Sequence, residues 1–254
     1  MPLSTEAFDQ IALGVVSFLK NKPGVSHIAF DERDGVGSHQ LDAWEQANAP
    51  CRLPPDLRAL YQITDGLALR WKLRFREKDL PLGCMQLNAL HQVARVQVED
   101  DDVLGDRGGG GVGSVQTGGG GEAALAARLD AADTRAFALN GSDCGVAALL
   151  YRGGRAAAAP EVWFEDRAGT WHFMAATFND YFRLLVMHLG IPAWQYAFTD
   201  VGLDPVTKQW FRLLCPERLQ IDVLGAEAAA RARARASEQE ARSKKGGGGR
   251  NDDT

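Results

Sequence analysis

The stretch LPPDLRALYQITDGLALRW, residues 53–71, constrains the fold more than any other part of the chain. Pro54 and Pro55 suit the start of a helix, where a missing N–H matters little. Leu57, Leu60 and Tyr61, with Ile63 beside them, make one helical face. Gly66 supplies the left-handed backbone that closes such a helix. Leu67, Leu69, Trp71, Leu73 and Phe75 then alternate with Ala68, Arg70, Lys72 and Arg74, as in a strand with one buried and one basic face. A short helix, a glycine stop and an amphipathic strand need a sheet to join and helices to cover it. None of these residues forms a nucleophile, a metal cage or a phosphate cradle.

The flanking segments follow the same rules. Ser4-Thr5-Glu6 caps a helix whose apolar positions are Phe8, Ile11, Val15, Phe18 and Leu19, and Pro23-Gly24 ends it. VSHIAF alternates like a strand, and Asp31 to Ser38 is a polar turn region. PLGCMQLNALHQV predicts a short strand leading into a helix. RAFALN, GVAALLYR, EVWFEDR and TWHFMA are four strand-like runs separated by Gly, Asn, Asp or Pro. Thr177-Phe178-Asn179-Asp180 caps a helix with the stripe Phe178, Phe182, Leu185 and Leu189, stopped by Gly190 and Pro192. Asp204 and Pro205 open a last helix. The order of elements predicts an α+β fold, a single mainly antiparallel sheet flanked by helices.

Two segments stand outside this pattern. Residues 99–132 open with Glu99-Asp100-Asp101-Asp102 and hold two runs of four glycines. Glycine has the most backbone freedom to lose, so the composition predicts a disordered insertion. Neither glycine run leads into Gly-Lys-Ser/Thr, which excludes a phosphate-binding loop of that type. Residues 225–254 form an Ala/Arg/Gly-rich low-complexity tail. The domain is therefore expected to comprise 1–98 and 133–224. The net charge of −5 divides unevenly: the tail has seven Lys/Arg against five acids, leaving the body at −7. That balance gives no reason to expect nucleic-acid binding. The N-terminus lacks the pattern of a signal peptide, and no apolar run approaches the roughly 20 residues needed to cross a bilayer. A soluble intracellular protein is the expectation.

Chemistry-bearing residues are scattered. Cys51, Cys84, Cys144 and Cys215 form no CxxC pair and read as buried free thiols. His27, His39, His91, His172 and His188 have neither HxH nor HExxH spacing. Asp143-Cys144 sits in a turn-like sequence without a nearby base, and the pairs Asp31-Glu32 and Glu165-Asp166 diverge. No catalytic residue, metal site or cofactor is expected. Among the aromatics, AWQYAF stands out: Trp194, Tyr196 and Phe198 at period two either pin the last helices or centre a partner interface, where Trp and Tyr are enriched. Trp210 in the last helix joins them as an interface candidate.

Trp44-Glu45, Leu53-Pro54-x-Asp56-Leu57, Leu60-Tyr61, Asp65-Gly66 and the strand through Trp71 resemble the SUKH superfamily over about residues 41–75. The resemblance implies that Trp44, Leu53, Pro54, Asp56, Leu57, Tyr61, Gly66 and Trp71 build a SUKH-like protein-binding scaffold. A narrower likeness runs over nearly all of 1–214. PGVSHIAF, AWEQANAPCRLPPDL, PLGCMQLNAL and, above all, Trp171 to Phe211 resemble the subunit 2 family of the tubulin polyglutamylase complex. It implies an adapter without catalytic activity, working beside fellow subunits that include a tubulin-tyrosine-ligase-like catalytic chain. Any contact with tubulin is then indirect, or weak and made by the basic tail. The implied setting is the cytoplasm and cytoskeleton: microtubules, centrioles or basal bodies, and the axonemes of cilia. The SUKH motif alone leaves open a general regulator or inhibitor of an unrelated protein.

Overall fold

A computed structural model describes residues 5–98, 134–152 and 159–228, together with Arg231 and Arg235. The expected insertion at 99–132 and most of the tail lie outside the described residues. The elements run in the order α1 (Thr5–Lys20), β1 (Val25–Asp31), α2 (Ser38–Ala47), α3 (Pro55–Ile63), β2 (Leu67–Phe75), β3 (Lys78–Leu87), β4 (Arg95–Val96), β5 (Arg135–Ser142), β6 (Gly145–Tyr151), β7 (Glu161–Asp166), β8 (Trp171–Ala175), α4 (Phe178–Met187) and α5 (Pro205–Leu214). A further helix, α6, covers residues 216–228.

The α+β class with antiparallel strands and flanking helices is the one the sequence predicts. The sheet expected as one is divided in two. One sheet has the order β1-β2-β3 and the other β4-β5-β6-β7-β8, and every pairing is antiparallel. They meet at Asn88, whose N–H donates to Leu139 O at 2.7 Å and whose Nδ2 donates to Ala138 O at 3.2 Å. The helix expected after PLGCMQLNAL is only a 3-10 turn over Leu90–Gln92. A helix not anticipated is α2, which buries Leu41 alone and so carries little apolar periodicity. α6 runs across the expected domain boundary at 224/225.

The motif of residues 44–71 is turned inward. Trp44 donates from its indole N–H to Val93 O at 3.0 Å and meets Phe137 edge-on at 5.0 Å. Asp56 accepts from Leu57 N at 3.0 Å and from Asn179 N at 2.8 Å, so one carboxylate serves the first turns of α3 and α4, where negative charge is favoured. The Tyr61 hydroxyl donates to Asn88 O at 2.9 Å, and burial pushes its phenol well above the ordinary range. Asp65 accepts from Leu90 N at 2.7 Å. Leu67, Leu69, Trp71 and Leu73 are buried while Arg70, Lys72 and Arg74 face out, as the alternation of β2 predicts. Two positions depart from it: Ala68, expected outward, is buried, and Phe75, expected inward, is exposed.

Glycine is required at two seams. Gly66 has φ +83°, and a Cβ there would lie 2.7 Å from Leu87 O and 2.9 Å from Ala89 N. Gly190 has φ +64°, and its backbone presses on that of Cys84, whose N–H donates to Gly190 O at 2.9 Å. Beside it the Trp71 indole N–H donates to Leu189 O at 3.0 Å, with Gly83 leaving room for the ring. The three-stranded sheet is thus sewn to the end of α4. Thr177 and Asp204 cap α4 and α5 as expected: Thr177 Oγ accepts from Asp180 N, and Asp204 accepts from Val206 N and Thr207 N.

α4, α5 and α6 are joined through His188, which is fully buried. Its ring stacks on Trp194 at 4.5 Å and meets Phe198 and Phe211 edge-on. Both ring nitrogens face acceptors: Nδ1 lies 2.6 Å from Leu184 O and Nε2 lies 3.1 Å from Asp222 Oδ2. Arg218 donates from Nε to Asp222 at 2.8 Å. Burial alone would raise the Asp222 carboxyl, but the bonds from His188 and Arg218 outweigh it and hold the group below the usual carboxylate range.

Two stability predictions follow from these seams. Gly66→Val combines positive φ with a backbone clash and should cost about 2–3 kcal/mol; an unchanged denaturation midpoint would contradict the close approach. Asp222→Asn should cost about 3 kcal/mol at neutral pH, as expected when one partner of a buried ionic cluster is lost. Because the native carboxyl binds its proton less readily than the unfolded one, its stabilisation is complete above the ordinary carboxylate value near 4 and fades as pH falls through the lower native value. Wild type and variant should therefore converge in acid when unfolding is followed as a function of pH.

Candidate partner-binding site

The structure commits His172, His188 and Asp166 to the fold, whereas His27, His39 and His91 are exposed. His172, within β8, lies 3.0 Å from Asp166, which also accepts from Ala168 N at 2.8 Å and Thr170 N at 3.0 Å. Burial pushes the Asp166 carboxyl up, and these bonds bring it below its ordinary value. The group closes the β7–β8 turn. Asp143 and Cys144 form the β5–β6 turn. All four cysteines are free; Cys51 and Cys215 are buried as expected, Cys144 is half-buried, and Cys84 is exposed. Among the described residues, no three His, Cys, Asp or Glu side chains gather as a metal site. One depression is lined by apolar side chains, among them Phe8, Phe30, Leu69 and Phe182; another is open to solvent beside Asp42, Glu45 and Arg52.

The aromatic candidates divide by exposure. Residues 194–198 form a 3-10 turn, not an extended run of period two, because Ala193 takes a left-handed φ of +59° that winds the chain into it. Trp194 is 2% exposed and belongs to the core around His188. Tyr196 and Phe198 are half-buried. The Tyr196 hydroxyl donates to Cys144 O at 3.1 Å, and its ring meets Phe164 at 5.5 Å, pinning the turn to the five-stranded sheet. Phe198 packs on His188 and Trp194. Of the four, these three anchor the C-terminal segment.

Trp210 is placed differently. Helix α5 buries Thr207, Phe211 and Leu214 on one face. Val206, Trp210 and Leu213, spaced i, i+4 and i+7, form an adjoining stripe on the outer side. Trp210 is half-buried, with its ring edge-on to Phe75 at a centroid distance of 6.1 Å. Phe75 is the apolar residue that β2 leaves facing out. Strand end and helix face thus build one apolar surface from positions 135 residues apart. Sequence reasoning selected Trp210 but not Phe75, Val206 or Leu213. The available signal was that α5 has more apolar positions than one buried stripe requires.

No family model and no solved structure matches the chain. Three curated relatives do. The chain is 32% identical over 241 residues to tubulin polyglutamylase complex subunit 2 of Rattus norvegicus, covering 86% of this chain and 75% of that protein. It is 31% identical over 241 residues to the Homo sapiens protein of the same name, covering 86% and 74%. To the Mus musculus protein it is 32% identical over 242 residues, covering 87% and 75%. At this identity and coverage the chain belongs to the tubulin polyglutamylase complex subunit 2 family.

Proposed function

We propose that this protein is a non-catalytic adapter subunit of a tubulin polyglutamylase complex. It helps assemble or localise a tubulin-tyrosine-ligase-like chain, which performs the glutamylation of tubulin tails. The observation that carries the reading is family membership: the relatives are named as subunits of such a complex. The inward commitment of the 44–71 motif, His172 and His188 supports it, because a surface that binds neighbours needs a rigid frame more than it needs reactive groups. The SUKH-like pattern of residues 41–75 serves that frame. The setting is cytoskeletal, at microtubules, centrioles or basal bodies, and ciliary axonemes.

The folded body docks fellow subunits. Its acidic balance gives no attraction for an acidic tubulin tail, and charges more than about 8 Å apart are screened at physiological salt. The tail, with seven basic residues over five acidic ones, makes a weak and salt-sensitive microtubule contact.

Affinity purification of the tagged chain tests this directly. Recovery of a tubulin-tyrosine-ligase-like enzyme is expected; recovery of an unrelated enzyme in its place would contradict the proposal. Among the aromatics, Trp210→Ala should reduce recovery of the complex while costing less stability than truncation of a fully buried aromatic. Trp194→Ala should cost about 3–5 kcal/mol, the usual range for truncating a core aromatic. The reverse pattern would place the interface on the 194–198 turn.

A further inference from the structure

Helix α6 is held to the body by little apolar surface. Within residues 216–228 the buried side chains are Leu219 and Asp222, while Ile221 and Leu224 are each 57% exposed and Val223 is 43% exposed. One leucine and one carboxylate are thus the inward anchors of the helix that leads into the Ala/Arg-rich tail. The partner of that carboxylate is His188, at the end of α4.

The acceptors around His188 fix its hydrogens. Leu184 O, 2.6 Å from Nδ1, is a carbonyl and can only accept. Asp222 Oδ2, 3.1 Å from Nε2, belongs to a carboxyl held below its usual range, so at neutral pH it too can only accept. Both ring nitrogens must therefore donate, which requires the imidazolium. A neutral ring would turn a lone pair toward one of these acceptors in a fully buried site, the costly case of an unmade hydrogen bond. The surroundings suit the cation. The 194–198 turn places the Trp194 ring in a stack at 4.5 Å, which attracts positive charge, and adds Phe198; α5 adds Phe211. Among the described residues, Asp222 is the charged group bonded to the ring. Arg218 reaches the other oxygen of that carboxylate from a side chain 15% exposed, so its like charge stands farther off and partly in solvent. Tyr196 of the turn points to Cys144 O, Arg183 and Asp180 of α4 pair with each other at exposed positions, and the Cys215 thiol between α5 and α6 is pushed up to about 11 by burial and stays neutral.

We infer that His188 is a pH-dependent latch: with a hydrogen on both ring nitrogens it fastens α6 to α4, and α6 comes away when rising pH removes one of them. The sign follows from where the proton sits. The docked state binds one more proton than the detached state, so docking weakens as pH rises through the titration of the ring. In strong acid, protonation of Asp222 removes the other half of the pair, and the hold of α6 is greatest between these two limits. With Leu219 as the one buried apolar side chain of α6, little else compensates for the lost pair. The device goes beyond the adapter reading and does not depend on it: it governs how the tail is joined to the body, whichever partner the body docks.

The test uses the full chain, isotopically labelled at the histidine nitrogens for magnetic resonance. At about pH 6.5 the His188 ring, recognised by its contacts with the Trp194 ring, should show a directly bonded hydrogen on both nitrogens. Amide exchange across Leu219 to Leu224, normalised to Leu60 and Tyr61 in α3, should rise about tenfold between about pH 6.5 and 9.5, with the midpoint of the ring's own titration. In Asp222→Asn the ring loses its ionic partner, so the normalised exchange should be high at the lower pH and show no such step. A ring with one bonded hydrogen while α6 is protected would overturn the inference. So would α6 exchange that stays flat while the ring titrates, a ring that keeps both hydrogens at the upper pH, or the same step in Asp222→Asn.

Discussion

The corner at Leu87–Leu90 holds the two sheets together, and the rest of the molecule is arranged around it. Tyr61 donates to Asn88 O, Asp65 accepts from Leu90 N, and Gly66 lies against Leu87 O so closely that no side chain fits. From the same corner Asn88 donates to both Leu139 and Ala138. One short helix with its glycine stop therefore fixes how the three-stranded sheet meets the five-stranded one. Buried polar groups cost free energy unless paired, so each of these bonds also excludes alternative registers. The segment with the sharpest sequence punctuation is the one that carries this junction.

Legibility in the sequence followed the range of the interactions. Local rules placed α3, the alternation of β2, and the caps Thr177 and Asp204. Division into two sheets depended on which strand pairs with which, and the decisive bond runs from Asn88 to Leu139, far beyond any local period. α2 was hidden because it buries only Leu41. α6 was hidden because one of its inward positions is Asp222, whose partners His188 and Arg218 must be known before burial makes sense. The 194–198 turn and a strand can both place aromatics at alternate positions. The left-handed Ala193 separates them, and no pattern of side chains announced it.

The candidate site was legible only in part for the same reason. Trp210 was visible as an aromatic in a capped helix. Its neighbour Phe75 looked like the last inward residue of β2, and only the folded chain brings that strand end out against α5. Trp194 shows the opposite outcome: an aromatic that sequence could assign either to a pin or to an interface is held in the core by His188 and the helices around it.

A framework spent on holding two sheets and three C-terminal helices in place is suited to presenting a surface, and the central claim is that neighbours recognise that surface while the chain itself transforms no substrate. Incorporation of labelled glutamate into tubulin, with ATP supplied, measures this most directly when the purified chain is compared with the assembled complex. The account predicts no incorporation by the chain alone and robust incorporation by the complex. Turnover by the isolated chain would contradict it.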